Sequence, residues 1–259
     1  MVLPASMHGD PKLFVTTSPY DEFVKRHGTI QRRGIFGYFV HSLGRRIVGG
    51  EFPIGSTLPN EPELVEQFGI SRTVIREAMK ALASKGLVEI KTRVGTRVRD
   101  PQFWHHTDID VMVWYYETGP SLEIMRSIKD LRRVLEPEAA ARAASRGTEA
   151  DFDRIRQAYA AMADSIGDIN AHADADLRFH TAIFAATHNM IYSQLIDLLA
   201  VAIFANRAIS PADQVLSGQE RGLPFHKDIL DAIIARDPDA ATAVTHRLLD
   251  SWRVDRHDG

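Results

Sequence analysis

Across residues 34–48 the apolar side chains Ile35, Phe36, Phe39, Val40, Leu43 and Ile47 recur at helical spacing, and Gly49-Gly50 ends the run. This predicts a helix packed beneath its neighbours. A second helix opens at Asn60, a good N-cap whose capping box is completed by Glu63 three residues on. Leu64, Val65 and Phe68 share one side of it, and Gly69 stops it. After the short turn Gly69-Ile70-Ser71, Ser71 caps a third helix with the apolar stripe Val74, Ile75, Ala78, Met79 and Leu82. Gly86 stands where a left-handed C′ residue belongs. Two short β-prone runs follow, Leu87 to Lys91 and Thr96 to Arg99, joined by a tight basic wing from Thr92 to Gly95.

From Ser121 onward the pattern is wholly helical and rich in alanine. The predicted helices cover 121–145, 149–164, 168–187, 189–207, 213–235 and 238–254, punctuated by Gly147, Gly167, Asn189, Pro211 and Pro238. The fold class is therefore mainly α. A winged helix-turn-helix with a small β wing precedes an all-helical antiparallel bundle. The expected division is a mobile tail over 1–30, the winged domain over 31–100, a linker over 101–119, and a helical domain over 120–259.

Composition narrows the function. The chain has 259 residues, 44% hydrophobic and 25% charged, in the range of soluble globular proteins. It has no cysteine, which excludes disulfides, thiol catalysis and Cys-based zinc sites and fits a reducing cytoplasm. The longest apolar run, Leu195 to Ala205, is broken by Asp197 and is too short for a bilayer, so no membrane role is expected. A net charge of −3 looks unsuited to a DNA binder until it is divided. Residues 31–100 carry twelve basic and seven acidic side chains, whereas 101–259 carry sixteen basic and twenty-four acidic. Positive charge is thus concentrated on the helix-turn-helix, as phosphate binding requires.

Arg72, Thr73 and Arg76 lie in the first turns of the third helix, directly after Ser71. The N-terminal end of such a helix points side chains at base edges and backbone amides at phosphate. Ser71, Arg72, Thr73 and Arg76, with Arg93 and Gly95 of the wing, are the candidate DNA-binding residues. An ordinary helical hairpin with a polar face is the alternative. In the bundle, Asp176 and His180 are i and i+4 on a face that also carries Leu177, Ile183 and Phe184. His226 lies on another inward stripe with Ile229, Leu230 and Ile233. A buried carboxylate and imidazoles need pairing or a metal, and the set suits Zn²⁺, Ni²⁺, Mn²⁺ or a similar divalent ion. The residues alone leave two readings open: a metal site, or an Asp–His hydrogen bond beside an unrelated histidine. Arg132 borders the stripe Ile128, Leu131, Leu135 and Ala139. It is the candidate carboxylate clamp, with an i,i+4 pair to Glu136 as its alternative. His105 and His106 are adjacent, so they point apart and do not chelate together.

Several of these residues resemble the GntR superfamily of bacterial transcription regulators: Leu58-Pro59-x-Glu61, Ser71-Arg72-Thr73, Arg76-Glu77-Ala78, Leu82, Gly86-Leu87-Val88 and Gly95-Thr96. Pro62 departs from the family, which usually has a DNA-contacting Arg there. Arg93 stands where the wing often has Gly. Leu131-Arg132-x-x-Leu135-Glu136-Pro137 with Ala139 and Ala140, Asp176-x3-His180 with Asn189, and His226 with Ile229 and Ala232-Ile233 resemble the FCD domain, the ligand-binding bundle of the FadR branch. Trp104, Asp108, Asp110, Val111 and Trp114 resemble the linker of galactonate-responsive members.

The resemblance implies a homodimer on double-stranded operator DNA, controlled by a small carboxylate effector, with sugar acids foremost. It also implies a metal held by Asp176, His180 and His226. The family's fourth ligand falls at Leu248. His246 is two residues early and is expected to face away from the stripe Val244, Leu248 and Trp252, and His172 is a weaker substitute. Three protein ligands are therefore expected, with water or an acidic effector completing the shell. A metal-dependent hydrolase or lyase fused to a DNA-binding module is the alternative from another class. An architectural DNA binder would leave the inward Arg, Asp and two His unexplained.

Overall fold

The computed structural model describes residues 34–91, 94–119, 122–196, 199–200 and 211–251. The expected tail over 1–30, Arg93, Trp252 and residues 201–207 of the helix expected over 189–207 lie outside the described residues.

Helix α1, Gly34–Val48, buries Phe39, Val40, Leu43 and Ile47 beneath the helix pair α2, Glu61–Phe68, and α3, Arg72–Ser84. The capping box of α2 is complete. Asn60 Oδ1 accepts from the Glu63 amide at 3.0 Å, and Glu63 Oε2 accepts from the Asn60 amide at 2.8 Å. Ile75, Ala78, Met79 and Leu82 bury one side of α3. Strands β1, Val88–Lys91, and β2, Gly95–Val98, pair antiparallel with Val88 opposite Val98 and Lys91 opposite Gly95. Gly86 has φ +78, and a Cβ there would lie 2.1 Å from the Phe103 carbonyl oxygen. The close approach of the following segment therefore requires glycine as well as the turn does.

That segment, expected as a linker, holds a 3-10 turn, Pro101–Phe103, and helix α4, Ile109–Thr118. It joins the core of the winged domain rather than running free. Trp104 Nε1 donates to the Arg99 carbonyl at 3.0 Å, and Val111, Val113 and Trp114 are buried in the same cluster as α1 and α3. Lys85, just past the end of α3, is buried and reaches Asp108 at 2.8 Å and Asp110 at 2.7 Å. Three buried or half-buried charges thus tie the end of α3 to the start of α4. Such pairs persist because each charge is compensated.

The bundle comprises α5, Leu122–Arg146; α6, Glu149–Asp164; α7, Ile169–Ala186; α8, Ala212–Ile234; and α9, Pro238–Ser251. Residues 190–196 are also helical. Helix α6 packs on α7, and α9 packs between α5 and α8. Phe152, Ile155, Met162, Phe179, Ile183, Phe184, Ile229, Ile233 and Leu248 form the core. Thr148 and Asp151 make a reciprocal capping box at the start of α6. Among the described residues no helix is long and apolar enough to cross a membrane.

Candidate metal centre and DNA-reading face

Asp176, His180 and His226 come together. Each offers one ligand atom, and these atoms all lie within 4.8 Å of one another. Asp176 and His180 are one turn apart on α7, and His226 faces them from α8. All three are buried. The edges of the two imidazoles meet nearly at right angles with ring centres 5.6 Å apart, and Phe179 packs against both.

The nitrogens are not equivalent. His226 Nδ1 lies 2.9 Å from the carbonyl oxygen of Gly222. A carbonyl only accepts, so Nδ1 carries the proton and Nε2 of the neutral ring carries a lone pair. That lone pair faces Asp176 Oδ1 at 3.2 Å. Both atoms are buried, and neither makes a hydrogen bond. Two acceptors face each other inside the bundle, and only a positive charge between them or a second proton on the ring reconciles them. His180 Nε2 is 3.3 Å from the same oxygen. The donor set of one carboxylate oxygen and two imidazole nitrogens fits a divalent transition metal. Burial by itself raises the Asp176 carboxyl, but the His180 and His226 rings, in their proton-donating form, outweigh it and hold it well below the usual carboxylate range.

No fourth protein ligand is expected, and the positions considered for one are these. Leu248 is buried at the position the family's fourth histidine would take, and His246 is half-exposed. His172 is buried, its Nδ1 donates to the Met162 carbonyl at 3.1 Å, and it is not among the three residues whose ligand atoms converge.

Arg132 lies deeper than its sequence position suggests. Met125, Ile128, Arg132, Glu136 and Ala139 are among the buried positions of α5, while Leu131 and Leu135 are half-buried. The residue is 5% exposed, and its Nε donates to Glu136 Oε1 at 2.5 Å. The i,i+4 pair is therefore formed, inside the bundle rather than on its surface. Desolvation opposes the charge on Arg132, but the Glu136 and Asp176 carboxylates outweigh it and raise its pKa. The second oxygen of Glu136 faces His180 Nδ1 at 3.3 Å. The sequence offers Glu136 as the i,i+4 partner of Arg132 and, with Asp174, as a nearby carboxylate for a hydrolytic reading, but does not place it behind His180. The signal that could have placed it near the histidine is its i+4 spacing from Arg132 on the buried face.

At the other end of the chain, Ser71, Arg72, Thr73 and Arg76 are all exposed on the first turns of α3, and Gly95 is exposed on the wing. Ser71 Oγ accepts from the Val74 amide. Arg76 Nε donates to Glu61 at 2.8 Å, so the first residue of α2 holds a base-reading candidate.

Comparison with known proteins agrees with this architecture. The family of bacterial regulatory proteins called gntR matches residues 39–98, and the FCD domain family matches 127–251. The galactonate operon transcriptional repressor of Escherichia coli K12 is 34% identical over 209 residues, covering 78% of this chain and 88% of the relative. The Uxu operon transcriptional regulator of the same strain is 32% identical, covering 78% and 81%. Among solved structures, Lar, described as controlling the expression of the Listeria monocytogenes agr system, superposes with a TM-score of 0.59 at 17% identity, covering 85% of this chain and 95% of that one. That likeness is one of fold. The curated relatives are transcription regulators rather than enzymes, and the chain belongs to the gntR family of bacterial regulatory proteins, as a transcriptional regulator with an FCD domain.

Proposed function

We propose that the protein is an operator-binding repressor released by a small organic acid, with sugar acids such as galactonate foremost, and that the acid binds beside a divalent metal in the helical bundle. The observation that carries the metal is the pair of buried acceptors, Asp176 Oδ1 and His226 Nε2, turned toward each other without a hydrogen bond. Asp176, His180 and His226 would hold the ion. Once bound, the ion supplies a Lewis-acidic centre with open positions for a carboxylate or hydroxyl oxygen. The chain's own residues do the rest. The bundle excludes water around the site, and Arg132 contributes a planar fork of donors within it. The name of the galactonate relative supports the sugar-acid class and the repressor sign.

In this reading the protein acts as a homodimer over residues 120–259 and reads a two-fold-related DNA site through residues 31–100. Effector binding shifts the relative placement of the two DNA-binding domains and so changes operator affinity. A thermal-shift screen of sugar acids and shorter hydroxy acids, with and without chelator, tests it. Galactonate or a close relative is expected to raise the melting temperature only when metal is present, and to release operator DNA. An acid that stabilises equally with and without chelator removes the metal from the proposal. Recovery of the acid chemically changed would favour a hydrolase or lyase instead.

A further inference from the structure

In a metal-binding histidine, the nitrogen that faces away from the metal must keep its proton, and an acceptor behind the ring fixes that tautomer. Both imidazoles of the candidate site have such an acceptor, but the two acceptors differ. Behind His226 it is the neutral Gly222 carbonyl, at 2.9 Å from Nδ1. Behind His180 it is a carboxylate, Glu136 Oε2, at 3.3 Å from Nδ1. This oxygen is buried and makes no hydrogen bond in the present geometry, while its partner Oε1 is held by Arg132 Nε at 2.5 Å. Glu136 is 2% exposed, so its charge is compensated by the protein alone. A row of side chains results, running from Arg132 through Glu136 and His180 to Asp176, with one oxygen or nitrogen of each turned toward the next.

We propose that Glu136 is a positioning residue for a divalent cation. It accepts the Nδ1 proton of His180, which presents Nε2 to the ion, and Arg132 fixes the carboxylate in that task. The inference rests on the metal reading above and deepens it. It also gives Arg132 a role that does not depend on an effector: the guanidinium neutralises a carboxylate that would otherwise stand uncompensated beside the site. A carboxylate behind the ring makes His180 a more basic donor than His226, whose acceptor is neutral. The two histidines are therefore unequal ligands.

The test is competition for Zn²⁺ between the full-length protein and a chromophoric chelator, on wild type, His180→Ala and Glu136→Gln. Imidazole ¹⁵N NMR of the zinc-loaded wild type and Glu136→Gln accompanies it. Glu136→Gln is expected to lose roughly 10–100-fold in zinc affinity, the range for removing an outer partner of a metal-bound histidine. The Nδ1 resonance of His180 is expected to shift while that of His226 stays in place. A merely structural Glu136 would move neither ring selectively. If Glu136→Gln fails to fold with Arg132 left unpaired, Arg132→Met/Glu136→Gln removes both charges and is read in the same way. Zinc bound by wild type and lost in His180→Ala, with wild-type affinity and an unshifted His180 in the Glu136 variant, overturns the inference and leaves the metal reading standing. No zinc uptake by wild type overturns both.

Discussion

The indole of Trp114 occupies the space that a side chain at Gly44 would need: a Cβ built on Gly44 would fall 2.5 Å from the ring. The ring is fixed as well as close. Its Nε1 donates to His41 Nδ1 at 2.9 Å, and His41 Nε2 faces Glu117 at 3.2 Å. Because the indole donates to Nδ1, the proton of neutral His41 resides on Nε2, the nitrogen nearer the carboxylate. Helix α1 of the winged domain and helix α4 are thereby joined by one steric and two polar contacts.

Gly44→Ala is accordingly expected to destabilise the winged domain by about 1–3 kcal/mol, the usual cost of overpacking, although alanine is the better helix former. Thermal unfolding measures it. An unchanged or higher melting temperature would show that α4 is free to move off α1.

Operator recognition should depend on the exposed first turns of α3. Replacing Arg72 or Arg76 by Ala is expected to cost roughly 1–3 kcal/mol of specific binding each. Glu61 accepts from Arg76 Nε, so Glu61→Ala should also weaken binding, through loss of aim rather than loss of a contact with DNA. The measurement is footprinting and titration of the operator at fixed salt, because phosphate contacts make affinity salt-dependent. An unchanged footprint for the Arg72→Ala/Arg76→Ala variant would remove α3 as the reading element.

The winged domain was legible because its signals are local. The Asn60 and Ser71 caps, the Gly69 stop and the stripe Ile75, Ala78, Met79 and Leu82 each act within a turn or two, and α2, α3 and both strands lie within a residue or so of the expected bounds. The bundle helices were legible for the same reason. Two things were not. Residues 101–119 look like a linker because Pro101, the paired histidines and the aspartates break the periodicity. Yet Lys85 offers Asp108 and Asp110 a buried counter-charge from another element, and no local pattern displays that. On α5, hydrophobicity marked Leu131 and Leu135 as the inward stripe and left Arg132 at its border. The buried face in fact runs through Arg132 and Glu136, because the two neutralise each other. A polar pair that is its own counter-ion is invisible to apolar periodicity.

Asp151 offers a pH test remote from the metal site. Its carboxylate is buried at the start of α6 and accepts from the Thr148 amide at 2.9 Å, the Thr148 hydroxyl at 2.6 Å, Arg154 at 2.5 Å and His188 at 2.9 Å. Burial opposes the charge, but these donors outweigh it and hold the carboxyl well below its ordinary value. A depressed folded-state pKa contributes stability that is fully present above the unfolded value, about 3.9, and is lost as pH falls toward the folded one. Asp151→Asn should therefore be less stable than wild type by about 1–2 kcal/mol near neutrality. The gap should hold down to about pH 5 and close below about pH 4. Denaturant titrations of both proteins from pH 7 to pH 3 give the difference directly. A gap that widens toward acid would mean that the carboxyl is already protonated in the fold.

In the proposed function Arg132 serves two partners, Glu136 and the effector. Glu136 takes its Nε hydrogen, and a planar guanidinium has five N–H donors in all. A sugar-acid carboxylate bound at the metal would be recognised by the planar guanidinium, a role that a lysine ammonium does not reproduce. Loss of a buried charged partner costs about 2–5 kcal/mol, so Arg132→Ala is expected to weaken galactonate binding by roughly 30-fold or more. Arg132→Lys keeps the charge beside Glu136 but not the fork. It should retain the metal while still binding galactonate more weakly than wild type. Operator binding without effector should survive in both, because Arg132 lies in the bundle and not in the winged domain. Such variants would then stay on the operator when galactonate is added. Calorimetric titration of galactonate at saturating zinc, beside operator binding, separates the two roles: saturating metal cancels any effect that reaches the effector only through Glu136 and His180. If galactonate binds wild type and both variants equally under those conditions, Arg132 serves Glu136 alone, and the carboxylate is held by the metal without it.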